Sequence, residues 1–134
     1  MKRMARCCCG QASIVLDGDP KIHAVCHCND CKTRTGSAFG ISAYFADTQI
    51  ERKTGDMLVY EINNEETQQK RYFCSCCGTT LFWKMSRFPL IPNVANLTGV
   101  AGGCFVDDPL PDPTFTSNSE NKCGWLALTN LKSV

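Results

Sequence analysis

Seven of the eleven cysteines in this 134-residue chain sit in three tight clusters. Cys7 and Cys9 precede Gly10, Cys26, Cys28 and Cys31 fall within six residues, and Cys74 and Cys77 precede Gly78. Two short-spaced pairs, each closed by a glycine and far apart in sequence, can supply the four thiolates of a closed tetrahedral zinc site. The glycine can take positive φ and turn backbone N–H groups towards the sulfurs. Cys7, Cys9, Cys74 and Cys77 are therefore expected to form a structural zinc, with Cys8 and Cys76 as idle thiols.

The middle cluster has three thiolates and no obvious fourth partner, and an open coordination position is the mark of a catalytic zinc. In extended chain Cys26 and Cys28 share a face and His27 points the other way. A tight turn through Asn29 and Asp30 is expected to bring Cys31 round. The fourth position is left to His27, a distant thiol such as Cys104 or Cys123, water or a substrate, and the alternation argues against His27. Three thiolates leave Zn²⁺ with net negative charge and weak Lewis acidity, which suits binding a soft thiolate better than generating hydroxide. A second thiolate there needs nearby cations, and Lys32, Arg34 and Arg71 are the candidates for substrate binding. Tyr44, Tyr60 and Tyr72 are the candidate proton donors.

Composition narrows the class. An odd cysteine number with CxC and CxxC spacing fits metal binding in a reducing cytosol better than disulfide pairing. No apolar stretch follows the basic Met1 to Arg6 segment, and no window is apolar enough to span a membrane, so a soluble cytoplasmic protein is expected. The formal charge is +1, turned slightly negative by seven thiolates and two zinc ions, and the basic residues are not gathered in a tail. Nucleic acid is not an expected partner.

The elements that must position these cysteines read as β, because apolar residues recur in short alternating runs broken by turns. Strands are expected at Gln11 to Leu16, Ile22 to Cys26, Ala38 to Phe45, Met57 to Ile62, Gln68 to Cys74 and Thr80 to Met85, with a last one at Trp125 to Leu128. Turns are expected from Asp17 to Pro20 and at Asn63 and Asn64. Long helices are not expected. Phe88 to Glu120 holds five of the six prolines and reads as long loops. Residues 1–134 are expected to form one domain.

Taken in order, the motifs resemble the glutathione-dependent formaldehyde-activating enzymes and the related centromere protein V-like proteins. The resemblance is carried by CxCG at Cys7 to Gly10 and by CxCxxC at Cys26 to Cys31, followed by Gly36, Ser37, Ala38 and Phe39. It continues through Arg71, Phe73, CxxCG at Cys74 to Gly78, and Leu81. Val106, Asp107, Asp108 and Pro109, then Lys122, Cys123, Gly124 and Trp125, are similar to the C-terminal signatures.

The resemblance implies several coiled antiparallel β-sheets, a structural zinc, and a second zinc on Cys26, Cys28 and Cys31. It also implies a carbon–sulfur lyase whose small-molecule thiol partner is glutathione, added to formaldehyde to give S-hydroxymethylglutathione. The family often carries a histidine before the Lys-x-x-Trp segment, where this chain has Phe115 and Thr116 and no histidine. A non-catalytic zinc-stabilised protein-interaction module is therefore the second reading.

Overall fold

The computed structural model describes residues 1–134. It is mainly β, built on two sheets. The smaller sheet has the order β1–β2–β5, with β1 at Lys2–Arg6, β2 at Ser13–Asp17 and β5 at Ile50–Thr54. The larger sheet contains β3 (Ile22–Cys26), β4 (Gly40–Ala46), β6 (Met57–Asn63), β7 (Gln68–Cys74), β8 (Thr80–Arg87), β9 (Leu97–Ala101), β10 (Phe115–Ser117) and β11 (Lys132–Ser133). Its order is β11–β10–β3–β4–β9–β8–β7–β6. Pairing is antiparallel except at one end, where β10 runs parallel to both β3 and β11. One α-helix, α1 (Asn29–Thr35), joins β3 to β4.

Six of the expected strands are present with small shifts of boundary. The expected strand at Trp125 to Leu128 is absent: the Leu126 amide turns back to the Cys123 carbonyl at 3.0 Å, and Trp125 is 78% exposed. An indole left in water gains nothing from a strand register. Phe88 to Glu120 is more ordered than expected, since β9 and β10 lie within it. The turns fall where expected. Gly18 takes φ 85° after β2, and the Asn64 side chain accepts from the amides of Glu66 and Thr67, each at 2.9 Å.

Alternation gives the larger sheet two differently used faces. Ala43, Phe45, Phe82 and Val100 pack with Ala5, Ile14 and Leu16 of the smaller sheet to make the main core, which also encloses Cys7 and Cys74. Burying a Phe or Leu in such a core contributes about 1.5–3 kcal/mol relative to exposure. The other face carries Tyr44, Trp83, Met85 and Val94, with Ile22, Phe88 and Leu97 packed around them. Register brings Cys26 opposite Gly40, Tyr44 opposite Gly99, Gly99 opposite Trp83, and Trp83 opposite Arg71, so this second face carries the remaining chemistry.

Candidate metal centres

The first centre is assembled across the main core. Cys7, Cys9, Cys74 and Cys77 lie with their sulfurs all within 4.8 Å of one another. Cys9 Sγ is 3.7 Å from both Cys7 Sγ and Cys74 Sγ. Four sulfurs placed about 2.3 Å from one ion at tetrahedral angles stand about 3.8 Å apart, so the spacing fits a tetrahedral metal. Gly10 and Gly78 take φ 84° and 78°, the left-handed turn expected after each pair. The amide of Ala12 donates to Cys7 Sγ at 3.3 Å, and those of Cys76 and Cys77 donate to Cys74 Sγ at 3.3 and 3.4 Å.

These donors stabilise thiolate charge. Burial resists ionisation of Cys74, but the Cys77 amide and the Gln11 side chain bring its pKa below the ordinary thiol value. Cys77 is brought down to about 5 by the Thr79 hydroxyl and then by the amides of Thr79 and Cys9. Cys8 and Cys76 are exposed and stand outside the group.

The second centre is local. The sulfurs of Cys26, Cys28 and Cys31 lie within 4.8 Å of one another, close enough to share one ion. Cys26 ends β3, Cys28 caps α1 by accepting from the Cys31 amide at 3.3 Å, and Cys31 sits in the first turn. A short helix, ended by Gly36 at φ 65°, therefore replaces the expected tight turn through Asn29 and Asp30. Helical geometry brings residues three apart onto one side, which is how Cys31 returns to Cys28.

Within the triad the protons are shared unequally. Hydrogen bonds from Cys28 and then Cys31 hold Cys26 well below the ordinary thiol range, with Ser117 adding to the effect. That thiolate pushes Cys28 and Cys31 up. Three sulfurs that cannot all ionise side by side without a cation make a donor set suited to a soft divalent metal, which would compensate the charge of the three thiolates.

Neither Cys104 nor Cys123 joins this triad, and His27 does not either. Cys104 packs against the main core. His27 stays outside the sulfur group as alternation predicts, and it is fully buried, edge-on to Phe39 at 6.0 Å between ring centroids.

The structure separates the three cationic candidates. Arg71 is buried and committed, bonding to Asp30 and, at 3.2 Å, to Gln69. Lys32 Nζ donates to the Asn121 carbonyl at 2.7 Å. Arg34 lies over the Trp83 ring, 4.6 Å from its centroid. Among the tyrosines, Tyr60 is exposed and Tyr72 stacks on Phe82. Tyr44 is buried, accepts from the Trp83 indole N–H at 3.2 Å, and is pushed up to about 12 by burial, with the charges of Cys31 and Cys26 acting the same way.

Three contributors were not anticipated from sequence. Asn118 donates to Cys26 Sγ at 3.3 Å, Gln11 donates to Cys74 Sγ at 3.1 Å, and Gly40 lets Cys31 and Arg34 pack directly on its backbone. A Cβ on Gly40 would stand 3.0 Å from Cys31 Cβ and 2.8 Å from Arg34 Nη2. An Asn or Gln far away in sequence carries no spacing signal. Gly40, paired with Cys26 after the cluster, carries a weak one.

Residues 2–117 match the family described as glutathione-dependent formaldehyde-activating enzyme. The chain belongs to the glutathione-dependent formaldehyde-activating family. No curated protein sequence matches it. A Rhodobacter sphaeroides protein, solved by crystallography as a Northeast Structural Genomics target, is similar in structure. It is 20% identical, with 79% of this chain and 88% of that one covered and a TM-score of 0.57. At that identity the likeness shows the fold alone. Within this family member, the histidine-free segment Phe115–Ser117 runs parallel to β3 with Ser117 opposite Cys26, and Asn118 donates to the Cys26 sulfur. No helix is long and apolar enough to cross a membrane.

Proposed function

We propose that the chain is one zinc-dependent domain of the carbon–sulfur lyase type, joining a small-molecule thiol such as glutathione to formaldehyde and catalysing the reverse cleavage. The observation that carries this reading is the pair of sulfur clusters with different completeness, four thiols in one and three in the other. Two Zn²⁺ per chain follow, one held by Cys7, Cys9, Cys74 and Cys77 as a staple and one by Cys26, Cys28 and Cys31. The eleven unpaired cysteines favour a reducing compartment such as the cytosol.

When bound to the triad, zinc supplies a place for a soft thiolate. The reaction forms a carbon–sulfur bond as the sulfur lone pair attacks the aldehyde carbon. The carbonyl π pair moves to oxygen, which takes up the proton that the thiol released. On the protein side, Tyr44 stays protonated and its hydroxyl oxygen already accepts from Trp83, which leaves the O–H free to donate to the new alkoxide. Asn118 donates to Cys26 Sγ and so supports negative charge on that ligand. The ion pair of exposed Asp30 with buried Arg71 ties α1 to β7, holding the helix that carries Cys31.

The deciding experiment measures zinc per chain and then titrates glutathione and formaldehyde, following S-hydroxymethylglutathione by NMR. Two zincs and product formed faster than in buffer are expected. One zinc per chain, insensitive to thiols, would instead establish the non-catalytic module, which the absence of a base on Phe115–Ser117 favours.

A further inference from the structure

Between the cysteine triad and the indole of Trp83 stands a guanidinium with an uncommitted donor. Arg34 Nη2 is buried and has no hydrogen-bond partner. An orphaned buried donor of this kind costs free energy unless something else uses it. Its position is tightly built. Gly99 leaves room for Trp83 to lie flat on the sheet, since a Cβ there would stand 2.1 Å from the indole Nε1. The indole is oriented by its N–H bond to Tyr44 at 3.2 Å, and Arg34 rests on its face. Arg34 and Cys31 both press on the bare backbone of Gly40, where a Cβ would stand 2.8 Å from Arg34 Nη2 and 3.4 Å from Cys31 Sγ, so the guanidinium and the sulfur are neighbours. The sequence of contacts from Gly99 through Trp83 to Arg34 therefore ends at the sulfur of the triad.

Resting on the thiol-binding reading above, we propose that Arg34 determines specificity for an anionic sulfur: its free Nη2 donates to the incoming thiolate beside Cys31, while Trp83 acts as the positioning residue that holds the guanidinium there. Lys32 and Arg71 are oriented elsewhere, Lys32 towards the Asn121 carbonyl and Arg71 towards Asp30 and Gln69. Arginine suits the place better than lysine, since a planar cation can stack on an indole while still presenting an edge N–H. Arg34 thus recognises the reacting sulfur, which every thiol substrate has, rather than a carboxylate that only a peptide-like thiol has.

The test uses the full chain loaded with Co²⁺, in which thiol binding is read from sulfur-to-cobalt absorption, with glutathione and carboxylate-free 2-mercaptoethanol as probes. Loss of one charge-assisted hydrogen bond predicts that Arg34→Gln weakens both thiols about tenfold to a hundredfold. Cobalt content and the far-ultraviolet spectrum stay unchanged, and Arg34→Lys, which keeps the charge and loses the fork, recovers part of the affinity. Weakening of glutathione alone would make Arg34 a carboxylate contact and overturn the proposal. Unchanged affinity for both thiols in the Gln variant would overturn it too. Failure of the unsubstituted protein to bind either thiol would remove the functional reading itself and this inference with it.

Discussion

Cys74→Ser and Cys28→Ser delete the same atom from centres of very different reach, and their costs should differ accordingly. In the first centre Cys9 and Cys74 are 65 residues apart in sequence, whereas Cys26, Cys28 and Cys31 lie within six residues. A cross-link removes conformational entropy from the unfolded chain in proportion to the logarithm of the loop it closes. The chain-entropy expression gives about 4.3 kcal/mol for a 65-residue closure and about 2 kcal/mol for one of five residues. Cys74 is in addition buried in the main core, 1% exposed, while Cys28 is half-buried at the start of a short helix.

Cys74→Ser should therefore cost at least about 2 kcal/mol more than Cys28→Ser, a large part of a total stability of about 5–15 kcal/mol. The measurement is urea unfolding at fixed zinc, followed by circular dichroism. With a slope of about 2 kcal/mol/M, the two midpoints should stand about 1 M apart, Cys74→Ser lower. Coincident midpoints would refute the assignment of staple and open centre, because both metals would then be holding the fold equally.

Two further outcomes follow from the packing. Gly99→Ala forces a rigid indole off the sheet, since the new Cβ would be 2.1 and 2.4 Å from Trp83 Nε1 and Cε2; a loss of about 3 kcal/mol in urea unfolding is expected. Asp47 is opposed by burial but held below the ordinary aspartate value by Lys84, at 2.6 and 2.7 Å, and by the Thr98 hydroxyl at 2.6 Å. Its depressed folded pKa adds stability above the unfolded value of about 3.9 that is lost as pH falls through the folded one. Asp47→Asn should therefore flatten the acid limb of the stability curve below about pH 4 and lower stability at neutral pH, both read from thermal melts across pH.

The strands with apolar alternation were legible because burial on one face imposes period two. β3 and β7 were placed to the residue, and each delivers a cysteine at its C-terminal end. The elements that sequence reasoning missed share a different origin. β1 has the sequence KRMAR, and its buried face carries Arg3, whose Nη1 donates to the Gly18 carbonyl at 2.8 Å and to Asp19 at 2.7 Å. A charged residue satisfied by a turn in the neighbouring connection looks like a surface residue until that turn is placed. β5 is exposed along almost its whole length and is defined by backbone pairing to β2, for which hydropathy carries no signal. The same division runs through the two centres. Sulfurs brought together by spacing could be read directly, but the groups set against them, namely Asn118, Gln11 and Arg34 on Trp83, arrive through register between distant strands or through packing over a glycine. A metal framework is a property of local spacing, whereas the hold of an open position on a thiolate belongs to the sheet face beneath it. If Arg34 serves as proposed, chains sharing the three cysteine clusters differ in how tightly they hold any thiolate according to whether a stacked arginine stands beside Cys31, and discrimination among thiols is built elsewhere.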